Sequence, residues 1–160
     1  MPLVYGTPPA KDTTLTPLWM IKKLGVFDLD PCGFEGHATA NELFILPKDG
    51  LKEEWLGRVC LNPPYSDPKP FLEKMVGHNN GIALVLAFVE TYWFHKYIWE
   101  KASAVFFQKG RPKYLRADGT EVQLMRPTVL VAYGKENADI LRKIDLEGKY
   151  IRLLPPRDNK

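Results

Sequence analysis

Four consecutive residues, Asn62-Pro63-Pro64-Tyr65, carry the sharpest chemistry in the sequence. They bring together an amide side chain, two prolines and an aromatic ring, directly after the short apolar run Arg58-Val59-Cys60-Leu61. A planar exocyclic amine, such as N6 of adenine, has its lone pair delocalised into the ring. To attack an electrophile it must pyramidalise, and two acceptors placed on its hydrogens favour that geometry. The Asn62 side-chain carbonyl is one acceptor. The Pro63 main-chain carbonyl is the second, because proline fixes φ and aims the chain. Tyr65 supplies a face on which a flat base stacks. Such a site needs neither a carboxylate nucleophile nor a metal, and it works by positioning and polarisation. The competing reading is a proline-rich turn, since Asn and Pro are both turn formers.

The elements around this motif must present it at an edge. Val26 to Asp30 alternates apolar and acidic residues, which predicts a short strand closed by Pro31-Cys32-Gly33. Gly81 to Val89 is a continuous apolar run of strand length, which fits a strand covered on both faces, as in parallel sheets. Residues 104–107, 128–133 and 150–154 read as further strands. Thr16-Pro17 reads as a helix start, with Thr as N-cap and Pro at the first helical position; Leu18, Ile21 and Leu24 follow at helical spacing, and Gly25 ends the helix. Residues 68–79, 91–102 and 136–145 are the other helices. Strands alternating with helices predict an α/β layered fold, a mostly parallel sheet flanked by helices. Ligands of such sheets bind at the carboxyl ends of strands, where Asn62 sits.

With 160 residues the chain is expected to be a single domain over 1–160, with residues 1–15 an irregular arm. At 45% hydrophobic and 26% charged residues it is neither disordered nor a coiled coil. Two cysteines, Cys32 and Cys60, are too few for a disulfide framework or a structural zinc, and no His or Cys set has ligand spacing, so no metal is expected. No apolar run approaches the ~20 residues of a membrane span, and the N-terminus lacks a secretory pattern; the expected location is cytoplasmic. A net charge of +3 permits a polyanionic partner without demanding one.

Asp28 and Asp30, two apart on the expected strand, would share one face. They read as a solvated strand edge, or as carboxylates that accept from a cofactor's ribose hydroxyls or cationic amino group. Lys109, Arg111, Lys113 and Arg116 lie in a polar stretch, 109–127, interrupted by Asp118-Gly119. That stretch is either a solvated hairpin or flap, or a basic loop contacting nucleic-acid phosphates. Asp49 reads as a turn residue.

Several separate stretches, in order, resemble the phage-type DNA N6-adenine methyltransferases, the phage Dam-like family. They are Thr16-Pro17-Leu18-Trp19, Phe27-Asp28-Leu29-Asp30-Pro31-Cys32, Asp49-Gly50-Leu51 with Trp55, Asn62-Pro63-Pro64-Tyr65-Ser66, Trp93-Phe94-His95, Gly110-Arg111-Pro112-Lys113-Tyr114 and the run TVLVAY. The resemblance covers residues 14 to 134. It implies a reduced Rossmann-like fold and transfer of a methyl group from S-adenosylmethionine to N6 of a flipped-out adenine in DNA. It makes Asn62, Pro63, Pro64 and Tyr65 the catalytic signature. It places Asp30, Pro31 and Cys32 in the cofactor pocket, Thr16-Pro17 near the donor's carboxylate and Asp49 near its adenine. Gly110-Arg111 fits a shared DNA-contacting pattern. A phage-encoded enzyme of this kind would act in the host cytoplasm. A G-x-G loop is missing, and Gly33-Phe34-Glu35-Gly36 is a poor substitute. The alternatives are another planar amine, cytosine N4 or a protein glutamine, and a DNA-binding module without transfer activity.

Overall fold

The computed structural model describes residues 14–153. In chain order its elements are β1 (Thr14–Leu15), α1 (Leu18–Leu24), β2 (Leu29–Asp30), β3 (Glu42–Leu43), β4 (Val59–Leu61), α2 (Lys69–His78) and β5 (Gly81–Leu86). Then follow α3 (Tyr92–Phe94), which continues as a π-turn over His95–Trp99, β6 (Ala104–Gln108), β7 (Lys113–Arg116), β8 (Glu121–Gln123), β9 (Thr128–Tyr133), α4 (Lys135–Lys143) and β10 (Gly148–Arg152). Of the expected arm, residues 1–13 lie outside the described part. Thr14 and Leu15 are not irregular, because they pair with β7.

Seven strands form one sheet in the order β3-β2-β4-β5-β9-β6-β10. Residues alternate across it. In β5, Ala83 and Val85 join one core with Phe71, Leu72, Met75, Phe94 and Ile98. Ile82 and Leu84 face the opposite core, with Met20, Leu24 and Leu141. Helices α2 and α3 therefore cover one face, and α1 and α4 the other. Burial on both faces explains why β5 and β9 read as unbroken apolar runs.

The sheet is mixed rather than mostly parallel. β2 pairs parallel with β3 and β4, and β4 with β5, but β5–β9, β6–β9 and β6–β10 are antiparallel. The apolar run reports cover on both faces, which a central antiparallel strand shares; it carries no information on direction.

The parallel half positions the site. β2 and β4 are neighbours, with Leu29 opposite Val59. The chain leaves β2 outward to β3, then returns to β4 and proceeds the other way to β5. The strand order thus reverses between β2 and β4, the point where α/β sheets open a crevice at their carboxyl ends. Asp30 ends one of these strands and Asn62 follows the other. A second sheet, β1-β7-β8, is antiparallel and lies across this end of the molecule.

Candidate active site

A cavity of about 570 Å³ opens where β2 and β4 end. Its polar lining includes Thr14, Thr16, Asp30, His37, Thr39, Asp49 and Asn62, and its apolar walls are Phe34, Phe44, Ile45, Leu46 and Phe71. Of the residues singled out from the sequence, Thr16, Asp30, Pro31, Cys32, Asp49, Asn62, Pro63 and Pro64 all line it.

Asn62 is held by the segment before α1. Its Nδ2 donates to the Thr14 carbonyl oxygen at 3.0 Å and to Thr16 Oγ1 at 3.1 Å. Thr16 is buried, and its own carbonyl accepts from His37 Nε2 at 2.7 Å. A carbonyl only accepts, so His37 carries its proton on Nε2. Thr16 does not cap α1 as expected. The cap position is Pro17, with no side-chain cap bond, and the Pro17 carbonyl accepts from Met20 and Ile21. The Thr16 hydroxyl is instead engaged by Asn62. Pro17 does not line the cavity.

Asp30 is buried. It accepts from the Cys32 amide at 2.9 Å and from the Thr39 hydroxyl. Burial pushes its carboxyl up to about 6, against the opposing pull of those hydrogen bonds and of His37. Burial and neighbouring Asp30 push the Cys32 thiol well up, so it stays a neutral thiol. Asp28 is elsewhere. β2 begins only at Leu29, so the strand period does not reach Asp28, which is exposed and accepts from the Arg58 amide at 2.7 Å.

Asp49 is both turn residue and wall. Its Oδ1 accepts from the Leu51 amide at 2.9 Å. The loop it opens is clamped from below by Lys74 Nζ, which donates to the carbonyls of Gly50, Leu51 and Glu53. No G-x-G loop is present, yet two glycines let main chains meet under the cavity. A Cβ on Gly50 would run into the Pro31 carbonyl oxygen, and one on Gly33 would sit 2.7 Å from Leu43 Cβ.

Tyr65 is not among the cavity's lining residues. It is half-buried with its hydroxyl buried, and burial, then nearby Tyr114, push its phenol well above the usual range against the Thr14 side chain. The apolar surface within the cavity comes from Phe34, Phe44, Ile45, Leu46 and Phe71.

The 109–127 stretch is a folded hairpin of β7 and β8, with Gly119 at φ 84° in its turn. Asp118-Gly119, an interruption in the charge pattern, is the turn itself. Lys109 pairs with Glu147 at 3.5 Å and Lys113 with Glu121 across the hairpin at 3.6 Å. Arg111 donates to the Met125 carbonyl at 2.6 Å and closes the hairpin's base. Arg116 is exposed, and the next residue, Ala117, lines the cavity. The basic hairpin therefore reaches the mouth of the site.

Sequence reasoning missed His37, Thr39 and the aromatic walls Phe34 and Phe44. Residues 34–56 have no period to read, and a lone His or Thr carries no signal until the fold brings it to Asp30 and Thr16. Among the described residues no group of three or more His, Cys, Asp or Glu is arranged to hold a metal ion.

The sequence matches the profile of a family described as DNA N-6-adenine-methyltransferase (Dam) over residues 7–136. No curated protein matches it. Among solved structures it is similar to a putative RNA methyltransferase from Pyrococcus horikoshii, at 20% identity and a TM-score of 0.37, over 72% of this chain and 51% of that one. The matched region thus spans about half the length of that protein. The family match takes in the whole cavity lining and about four-fifths of the sequence: the chain belongs to the DNA N-6-adenine-methyltransferase (Dam) family.

Proposed function

We propose that this chain is an S-adenosylmethionine-dependent methyltransferase of adenine N6 in DNA, built on a reduced Rossmann-like methyltransferase sheet. One observation carries the reading: Asn62 and Pro63 meet Asp30 on a single cavity at the point where the strand order reverses.

The cavity suits the donor. Its volume of about 570 Å³ is that of a typical small-molecule site, mostly apolar with a few convergent polar groups. Asp30 and Asp49 supply acceptors for a cationic amino group or for ribose hydroxyls. Phe44, Ile45 and Leu46 offer apolar contact to a purine. When bound, S-adenosylmethionine supplies an electrophilic methyl group. The protein's part is to hold the attacking nitrogen. Asn62 Oδ1 and the Pro63 carbonyl accept the two hydrogens of the amine and favour its pyramidal form. The Tyr65 hydroxyl is buried while the residue is half-exposed, so what it offers a flipped base is its ring. The hairpin of β7 and β8, with Arg116 at its turn, contacts the phosphates beside the target. Lys109 and Lys113 add to it once their exposed ion pairs open, at little cost. A DNA substrate fits a cytoplasmic location, and no helix among the described residues is long and apolar enough to cross a membrane.

Incubation with radiolabelled donor and duplex DNA, followed by digestion and identification of the labelled base, tests this. Label in N6-methyladenine is expected. Label in N4-methylcytosine, or in added protein alone, overturns the assignment of substrate.

A further inference from the structure

Side-chain amides have two ends of nearly equal shape and opposite chemistry. Only the oxygen end of Asn62 can accept from an incoming amine; the nitrogen end would repel it. The side-chain NH2 has two hydrogens. Thr14 O and Thr16 Oγ1 take both, at 3.0 and 3.1 Å. Turning the amide over would break both bonds and press its oxygen against the Thr14 carbonyl.

These partners are themselves fixed. Thr14 pairs with Arg116 in β7. Thr16 is 4% exposed, its carbonyl is bonded by His37 Nε2 at 2.7 Å, and Pro17 leads straight into α1. We propose that Thr16 is a positioning residue: its side-chain oxygen holds the Asn62 amide with the carbonyl end presented to the substrate amine. This rests on the reading of Asn62 as the acceptor for that amine. It also gives the Thr16 hydroxyl a task distinct from contact with the donor's carboxylate.

The test is Thr16→Val, which keeps shape and removes the oxygen, beside Thr16→Ser, which restores it. Loss of one hydrogen bond predicts a fall in kcat of roughly three- to tenfold for Thr16→Val. The KM for DNA and the Kd for the donor should stay within about twofold, and Thr16→Ser should recover most of the loss. In the protein without donor, the 15N-resolved Asn62 NH2 pair should show one proton shifted upfield in Thr16→Val and both near their original positions in Thr16→Ser. A raised donor Kd with unchanged kcat in Thr16→Val would overturn the proposal in favour of donor contact. An unshifted NH2 pair would also sink it. Asn62→Ala, run in parallel, separates the two levels. If Asn62→Ala still transfers, the reading of Asn62 fails and takes this one with it. If Asn62→Ala is inactive while Thr16→Val keeps wild-type kcat, only the role of Thr16 fails.

Discussion

The two rims of the sheet use buried polar groups in opposite ways. At the amino-end rim, Arg58 precedes β4 and reaches under the strands. Its Nε donates to Asn137 Oδ1 at 2.7 Å, and its two terminal nitrogens donate to the carbonyls of Val26 at 3.0 Å and Leu24 at 2.8 Å. Its guanidinium lies 4.1 Å from the centre of the Phe27 ring. Asn137, fully buried, completes the network by donating to Asn80 Oδ1 and the Tyr133 carbonyl, both at 2.9 Å. Each nitrogen of the Arg58 guanidinium, and the Asn137 side-chain nitrogen, has a partner inside the molecule. At the carboxyl-end rim, Asn62 commits only its NH2, and Asp30 keeps a carboxylate in a place where burial opposes its charge. One rim is closed on itself and stabilises the fold. The other leaves acceptors facing a cavity, as expected where a sequence departs from local consistency to serve a ligand.

The largest expected effects separate the rims most cleanly. Arg58→Ala leaves the Leu24 carbonyl and the Asn137 side-chain oxygen without their buried donor, and should lower unfolding free energy by about 2–4 kcal/mol. Denaturant melts will show it; a loss below about 1 kcal/mol would mean the network is not what closes that rim. Asn62→Ala inverts the pattern. It removes hydrogen bonds from a part-buried group and should cost no more than about 1 kcal/mol in the same melts. Transfer to adenine, however, should fall by about a thousandfold or more, as when a preorganised polar contact to the reacting centre is removed. A variant that unfolds as readily as Arg58→Ala would show that Asn62 belongs with the structural rim.

Asp30 gives the comparison a pH axis. Its carboxyl, ordinarily near 3.8, is pushed up to about 6, chiefly by burial. A raised carboxyl means that the folded state binds the proton more tightly than the unfolded chain. Stability therefore falls as pH rises from about 4 to 6, and the cost of the buried charge is fully present above that window. The shift corresponds to roughly 3 kcal/mol. Asp30→Asn removes the charge, so relative to wild type it should gain stability between pH 5 and pH 7.5, read by denaturant melts at both. Donor affinity should move the other way. If the ionised carboxylate binds the donor, wild-type Kd weakens as pH drops from 7 to 5, and Asp30→Asn binds weakly and without that slope. A variant relatively more stable at pH 5 would show the carboxylate to be favourably held, as on the closed rim.

How much of this was legible depends on what each element must do. β5, β9 and α2 declared themselves because their apolar patterns answer to burial alone. Asn62-Pro63-Pro64 stood out although a turn would explain its residue types, because it directly follows a strand, at the end of the sheet where the cavity lies. The direction of β9 was hidden, since burial on both faces is blind to polarity. Asp28 does not share a face with Asp30, because the strand period was carried one residue past where β2 begins. Thr16 was read as a cap, a local use for a hydroxyl that the fold spends on Asn62, 46 residues away. His37 and Thr39 meet their partners only through tertiary contact, which no spacing encodes. In the hairpin, one of the two forms expected for this stretch, Asp118-Gly119 between Tyr114-Leu115 and Glu121-Val122 is the turn that the break in the charge run marked.

That hairpin carries the smallest of the expected effects and the finest distinction. Lys109, Lys113 and Arg116 are all exposed, so none should matter to stability: each change to Ala is expected to stay within about 0.5 kcal/mol. Their difference lies in what already neutralises them. Lys109 and Lys113 are ion-paired with Glu147 and Glu121, whereas Arg116, with the exposed Asp118 carboxylate near it rather than in an ion pair, stands at the turn next to cavity-lining Ala117. A phosphate contact releases condensed counterions, so each lost contact lowers the salt slope of log K by about one. Arg116→Ala should reduce that slope and weaken DNA binding to the same degree on every sequence tested. Lys113→Ala should do so by less, because Lys113 is already ion-paired with Glu121 and gives less of its charge to a phosphate. Equal slopes in wild type and Arg116→Ala would move the DNA off the hairpin and leave the open rim to be reached from another side.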